Sequence, residues 1–276
     1  MGSGDRARGL IWEANLWRRL IAKRVRSQVA YPVSFLLQLG STSLLFFVEL
    51  LVVALLFRQV ETLGGWRLAE IAFLYGISAV AIGCALCLGS GLVAFPDQIR
   101  QGGFDQVLTR PASAFVQVLA ADLRLDRLGR VLNGAFVFGY ALVVLDVEWT
   151  VGRLLYLPVV VLSAAVVFGA LFVLEAALCF WTTQGLEVIN AFTFGGATVS
   201  QYPLHLFEGW LRRLFLFGIP LGFVIYAPSL YLLDKDDPLG LPGWWRFTAP
   251  LVAALFAALA GALWRVGVRH YRSTGS

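Results

Sequence analysis

Six long apolar blocks, none of them alternating with polar residues, leave this chain few ways to fold. They cover roughly 31–57, 71–95, 131–147, 154–180, 186–201 and 249–268. A helix crossing about 30 Å of hydrocarbon needs about 20 mostly apolar residues. Runs such as SLLFFVELLVVALLF over 43–57 supply that length without the two-residue alternation that a membrane-barrel strand requires. Of the 276 residues, 59% are hydrophobic and 14% charged, with a mean hydropathy of +0.76, whereas a soluble domain carries about 25% charged residues. These numbers exclude a soluble enzyme, a disordered chain and a small disulfide scaffold. The expected fold is an all-α integral membrane protein with six transmembrane helices and a single domain over 1–276.

The segments between the blocks are more individual. In the first thirty residues Leu10, Ala14, Trp17, Ile21 and Val25 recur at three- and four-residue intervals, while Asn15, Arg19, Lys23 and Arg26 take the opposite side. This pattern predicts an amphipathic interface helix over 8–28 with Trp17 in the membrane and Arg19 and Lys23 toward the headgroups. The same residues also form a basic flank for the first span.

A further apolar block, 213–233, is broken by Pro220, Gly222 and Pro228 and follows a short amphipathic stretch. Non-helical backbone at membrane depth needs protein or water around it, so 202–233 is expected as a broken re-entrant pair on the outer side, before the last helix. Counting it as a span would give seven helices. Cytoplasmic segments carry the excess of Lys and Arg. With six spans and both termini cytoplasmic, fifteen of the 22 basic residues fall inside and seven outside. Seven spans would weaken that bias.

Most catalytic chemistry is missing its parts. A phosphate-cradling loop needs a Gly-rich turn before Lys and Ser or Thr, and Lys23 and Lys235 sit in IAKRV and LDKDD instead. His205 and His270, the two histidines, are too far apart in sequence to share one helical face. No metal site is therefore expected, and no histidine lies in a span to serve a Ser nucleophile such as Ser90. Cys84 and Cys87 share the face of an apolar helix without a second pair, a structural arrangement. Asp234, Asp236 and Asp237 read as a solvated outer loop; the competing reading is a metal-holding loop of an enzyme acting on lipid-linked substrates. Glu49 and Glu175 lie in spans, where a charge is costly. Either they line a translocation path or pair at a helix contact, or they are structural carboxyls, and a secondary transporter would use Glu49 for coupling.

The segment between the second and third spans is the most specific. It reads PDQIRQGGFDQVLTRPASAF from Pro96, with a turn at Gly102–Gly103 and a short helix that Pro111 ends. Phe104, Val107 and Leu108 form an apolar ridge, with Phe104 expected as an exposed knob for a partner's groove. Asp105 sits near the helix start, where the dipole favours a carboxylate.

With GGFDQVLTRP over 102–111, the stretches over 201–233, 241–255 and 264–276 resemble the permease (transmembrane) subunit of a type-2 bacterial ABC exporter. The subgroup it resembles has a separately encoded ATPase and often a second, paralogous permease. Ile225 departs from that pattern, where a polar Asn is expected. The resemblance implies a coupling helix over 97–110, in which Gly103, Phe104, Asp105, Leu108 and Arg110 carry force to and from the ATPase, and re-entrant helices over 203–233. It implies as partners two copies of an ABC ATPase subunit, which bind the ATP and Mg, a second permease and membrane lipids. No nucleic acid and no cofactor in this chain are expected, and the chain itself is expected not to be an enzyme. The location implied is the bacterial inner membrane, and the function is outward transport of an amphiphile such as a lipid, a glycan precursor or a drug.

Overall fold

A computed structural model describes residues 61–182 and 186–271, together with scattered positions between 22 and 55. Apart from those positions, the expected interface helix over 8–28 and first span over 31–57 lie outside the described residues. Trp17, Arg19, Lys23 and Glu49 lie outside them altogether.

Numbering from the first helix of this continuous body, α1 is Leu68–Val93, α2 Phe95–Arg100, α3 Phe104–Leu108, α4 Ala114–Leu119 and α5 Leu128–Val144. They are followed by α6 Val151–Leu178, α7 Leu186–Val199, α8 Gly209–Arg213, α9 Ala227–Leu232 and α10 Ala249–His270. Among the described residues the one β feature is an isolated bridge between Leu63 and Trp66.

Among the described residues four stretches are long and apolar enough to cross a bilayer: Leu68–Arg100, Leu125–Val144, Val151–Leu178 and Ala249–His270. They correspond to the second, third, fourth and sixth apolar blocks. The fifth block differs from expectation. Helix α7 has 14 residues, about 21 Å at 1.5 Å per residue, too short to cross alone.

Helix α1 is the centre of the bundle, packed against α5 and α6, and α10 packs on the far side of α6. Its sequence has no polar face, which suits a helix surrounded by protein. Lipid tails give helices no hydrophobic reason to associate, so close approach through small residues has to hold them together. A Cβ on Gly134 of α5 would lie 2.8 Å from the Ala79 Cβ of α1, so glycine is required for that contact. The outer flanks stay apolar and exposed, with Phe136 and Val143 on α5 and Leu251, Leu255 and Leu259 on α10.

Beyond the end of α7 the chain forms a broken helix. The Ser78 hydroxyl, ten residues into α1, is 2.8 Å from the Ser200 hydroxyl and donates to the Ala197 carbonyl at 3.1 Å. Helix α7 therefore stops about 15 Å below the start of α1. The space beyond it is filled by Gly209–Gly218 and Gly222–Leu232, bent by 80° at Pro220. Both arms contain a π-helical turn, over Leu214–Gly218 and Gly222–Tyr226, as expected where proline and glycine interrupt the ladder.

The chain before and after this pair returns to the same loop. His205 Nε2 lies 2.9 Å from the Gly64 carbonyl, and Lys235 Nζ donates to the Gly65 carbonyl at 3.1 Å. The clasp continues sideways. Lys235 reaches Glu70 at 2.9 Å and sits 5.1 Å above the Trp66 ring, Trp66 stacks on Tyr226, and Tyr226 meets His205 Nδ1 at 3.0 Å.

Candidate functional site

The second span ends in a built corner. Helix α1 passes through Ala94 into α2, whose Pro96 occupies the first turn, where a missing N–H costs nothing. The Gly102 N–H then donates to the Ile99 carbonyl at 3.1 Å and the Gly103 N–H to the Gln98 carbonyl at 2.9 Å. That pair of bonds, with Gly102 at φ +69°, is the Schellman stop of a helix. Gly102 supplies the left-handed residue, and Gly103 starts α3 at φ −68°. The double glycine thus reverses the chain and launches the one-turn helix Phe104–Leu108.

That helix faces opposite ways with its two apolar ends. Phe104 is fully buried, which corrects the expected exposed knob. Its ring lies 4.9 Å from Tyr271 at a right angle, 5.2 Å from Phe95 and 5.4 Å from Phe180. Trp264 closes the cluster, 5.2 Å from Phe95 and 5.4 Å from Phe180, with Phe115 of α4 against its other side at 5.6 Å. Phe104 therefore ties α3 to the ends of α2, α6 and α10. The physical reason is supply: a corner resting on three helix ends offers an aromatic pocket, and edge-to-face ring pairs contribute about 0.5–1.5 kcal/mol each beyond burial.

Val107 is buried beside Phe104, whereas Leu108 is 46% exposed and Gln106, Thr109, Arg110 and Pro111 line the open edge with it. Asp105 is half-buried at the helix start, as the dipole argument expects. It faces the Tyr271 phenol, whose pKa is held above its ordinary value by burial and then by that carboxylate. The ion pair of Arg100 with Asp97 on α2 is surface-exposed and contributes little.

A second anchor was not foreseen in the sequence. Gln117 of α4 is buried, and its Nε2 donates to the carbonyls of Val107 at 3.0 Å and Ala112 at 2.9 Å. It thereby supplies a donor to the Ala112 carbonyl and a second one to the Val107 carbonyl, which also accepts the Arg110 N–H at 3.4 Å. A lone glutamine amid apolar residues in ASAFVQVLA was the available signal. The return into α5 is fixed by Asp126, which accepts from Arg124 Nε at 2.9 Å and from its second guanidinium nitrogen at 3.1 Å. That hydrogen bond raises the Arg124 pKa above its ordinary value.

Glu175 lies near the same end of α6, 4% exposed, and its Oε2 has no hydrogen-bond partner among the described residues. Its position in the packed interior is compatible with helix pairing. Glu49 lies outside the described residues.

The opposite end carries a polar cavity of 770 Å³ lined by, among others, Arg67, Glu70, Glu148, Arg153, Asp234 and Lys235. Two of its acidic residues, Glu70 and Asp234, are paired with Lys235 and Arg153, and Asp237 in the adjoining loop holds backbone. Asp234 pairs with Arg153 at 3.0 Å, and the Asp237 carboxylate accepts the N–H groups of Leu239 and Leu241 at 2.9 Å each. Among the described residues no three His, Cys, Asp or Glu side chains are placed to hold a metal ion. Cys87 donates to the Arg124 carbonyl at 3.2 Å and Ser90 to the Leu86 carbonyl, both structural contacts.

Comparison with known families assigns the chain to one of them. A sequence profile described as "ABC-2 family transporter protein" matches residues 43–275, nearly the whole chain. No curated protein and no solved structure matches it. With α1 to α10 all inside the matched region, the chain belongs to the ABC-2 transporter family, as a multi-pass membrane permease.

Proposed function

We propose that this chain is the permease subunit of an ATP-driven exporter, forming half of a translocation path and taking its power from a separate ATPase. The observation that carries this reading is the corner of α2 and α3. A one-turn helix is held rigidly from inside by Phe104 and Gln117 and presents Leu108, Thr109 and Arg110 outward. A membrane loop with no partner has no need of a helix bonded to three spans. Seated in a groove of the ATPase, the same helix transmits motion to α1, α6 and α10 together. Gly103, Phe104, Asp105, Leu108 and Arg110 then divide the work: the first three set and anchor the helix, and the last two touch the partner.

In this reading the bent pair is re-entrant and not a fifth described span. Its support is the return of His205 and Lys235 to neighbouring carbonyls of one loop. The clasp end faces outside, the coupling corner faces the cytoplasm, and both termini are cytoplasmic. ATP and Mg belong to the partner, present as two copies for a pair of permeases, identical or paralogous. The cargo is an amphiphile such as a lipid, a glycan precursor or a drug, moved across the bacterial inner membrane. Glu49 and Glu175 are assigned to helix pairing or the path, and Trp17, Arg19 and Lys23 to an interfacial helix.

Co-purification of an ATP-hydrolysing subunit and ATP-dependent export from reconstituted vesicles test the reading. Deletion of Gln101–Arg110 is expected to abolish both. If association and transport survived the deletion, coupling through this corner would be wrong.

A further inference from the structure

Beside the coupling corner, between α4 and α10, runs a groove of 470 Å³. Its walls are Ser113, Ala114 and Phe115 on one side and Gly261, Trp264, Arg265, Val268 and Arg269 on the other. Among the described residues no acidic one lines it, and neither arginine forms an ion pair with another of them.

The placement of the two arginines is specific. Both are exposed. They lie one turn apart on the same helix, the spacing at which two side chains converge on one group. They are five and one residues from the end of α10 at His270, within about 8 Å of the end of a spanning helix. That is headgroup depth. Deeper in, the lining turns apolar, and the eighteen residues from Leu251 to Arg269 make five turns, so the exposed Leu251 and Leu255 share the face of Arg269. The groove therefore opens to the lipid-facing flank, cationic at its mouth and apolar along its length. At Gly261 a Cβ would meet nothing within 4 Å, so the floor is open.

We propose that this groove is a binding site for an anionic phospholipid. Its phosphate is held between the Arg265 and Arg269 guanidiniums, and an acyl chain lies along Phe115, Trp264 and Gly261. Guanidinium groups suit a phosphate because they donate paired N–H bonds in a planar fork. An occupant so placed touches the coupling cluster directly, since Trp264 and Phe115 pack on each other and Trp264 packs on Phe95 and Phe180. Lipid occupancy thus stiffens the wall against which α3 leans.

The test uses the full chain, delipidated in detergent and titrated with phosphatidylglycerol or phosphatidylcholine of equal chain length, with bound lipids counted by native mass spectrometry. One phosphatidylglycerol is expected to be retained preferentially. The double variant R265Q/R269Q should weaken it by about thirtyfold, the effect of removing two basic residues from an anionic lipid surface. Gly261→Leu, which fills the floor and keeps both charges, should weaken both lipids alike. Each variant changes exposed or open positions, and an unchanged elution volume checks that it folds. Equal retention of the two lipids by the intact chain, or an unchanged preference in R265Q/R269Q, would overturn the proposal. So would binding of glycerol phosphate as tightly as the lipid. So would a site that appears only when residues 1–28 are removed, because the chain's own N-terminal segment would then be the occupant.

Discussion

Replacing Phe104 with alanine separates two ways of reading the coupling corner. The side chain is fully buried and meets three rings at centroid distances of 4.9, 5.2 and 5.4 Å. Truncating a fully buried phenylalanine costs about 3–5 kcal/mol, transfer and cavity together. Taking the lower figure because a corner near the membrane surface relaxes, the expected loss is about 3 kcal/mol. For a chain of this size that lowers the melting temperature by roughly 6–12 °C. Phe104→Leu keeps most of the apolar volume but loses the two edge-to-face ring pairs with Phe95 and Tyr271, and should cost about 1–3 kcal/mol. The comparison is Leu108→Ala, which truncates a side chain already half in solvent and should leave the melting temperature within about 2 °C. Thermal unfolding of detergent-solubilised protein, followed by tryptophan fluorescence, gives the first readout, and retention of the ATP-hydrolysing partner gives the second. Phe104→Ala should lose stability first and the partner as a consequence; Leu108→Ala should lose the partner alone. If Phe104→Ala melted with the wild type, the ring would not be an anchor and the inward reading of α3 would fail.

Other positions give sharper local tests. Gln117→Leu removes both hydrogen bonds to the Val107 and Ala112 carbonyls; leaving the Ala112 carbonyl without that donor, and the Val107 carbonyl with only the Arg110 N–H at 3.4 Å, should cost about 1–3 kcal/mol and accelerate amide exchange across 104–112, and unchanged exchange would refute the clamp. A Cβ at Gly91 would collide with the Val118 carbonyl oxygen, so Gly91→Ala should push α4 off α1 and reduce folded yield, whereas Gly261→Ala should not. Folding raises the Tyr271 pKa above the ordinary 10.0, so the folded chain holds that proton longer and stability should fall as pH rises through about 10. In Tyr271→Phe that part of the alkaline loss should vanish; an identical pH profile would contradict it. Lys235→Ala should free the end of the bent pair from Gly65 and Glu70, read as faster exchange over 227–235.

The four long spans were legible because hydropathy integrates over some twenty residues and tolerates errors at the ends. The turn at Gly102–Gly103 and the break at Pro220 were legible for the opposite reason, since a single residue type forces the backbone there. Phe104 was misjudged because a one-turn helix has no periodicity from which to read an inner face. Its direction is set by Phe180 and Tyr271, 76 and 167 residues away in sequence. The bounds of α7 follow the expected block to within two residues; what composition cannot say is that another segment packs beyond its end. Gln117, Trp66 and His205 were passed over as isolated polar or aromatic residues, and only their partners across the fold give them a role.

The central claim is that the exposed edge of α3 seats on a separate ATPase. A photoreactive side chain introduced at position 108 of the full chain, with one at 255 on the lipid face as control, tests it most directly. Irradiated in native membranes, position 108 should cross-link to an ATP-hydrolysing subunit while position 255 gives only lipid or self-adducts. No such cross-link at 108, in membranes where the ATPase still co-purifies with the permease, would contradict the account.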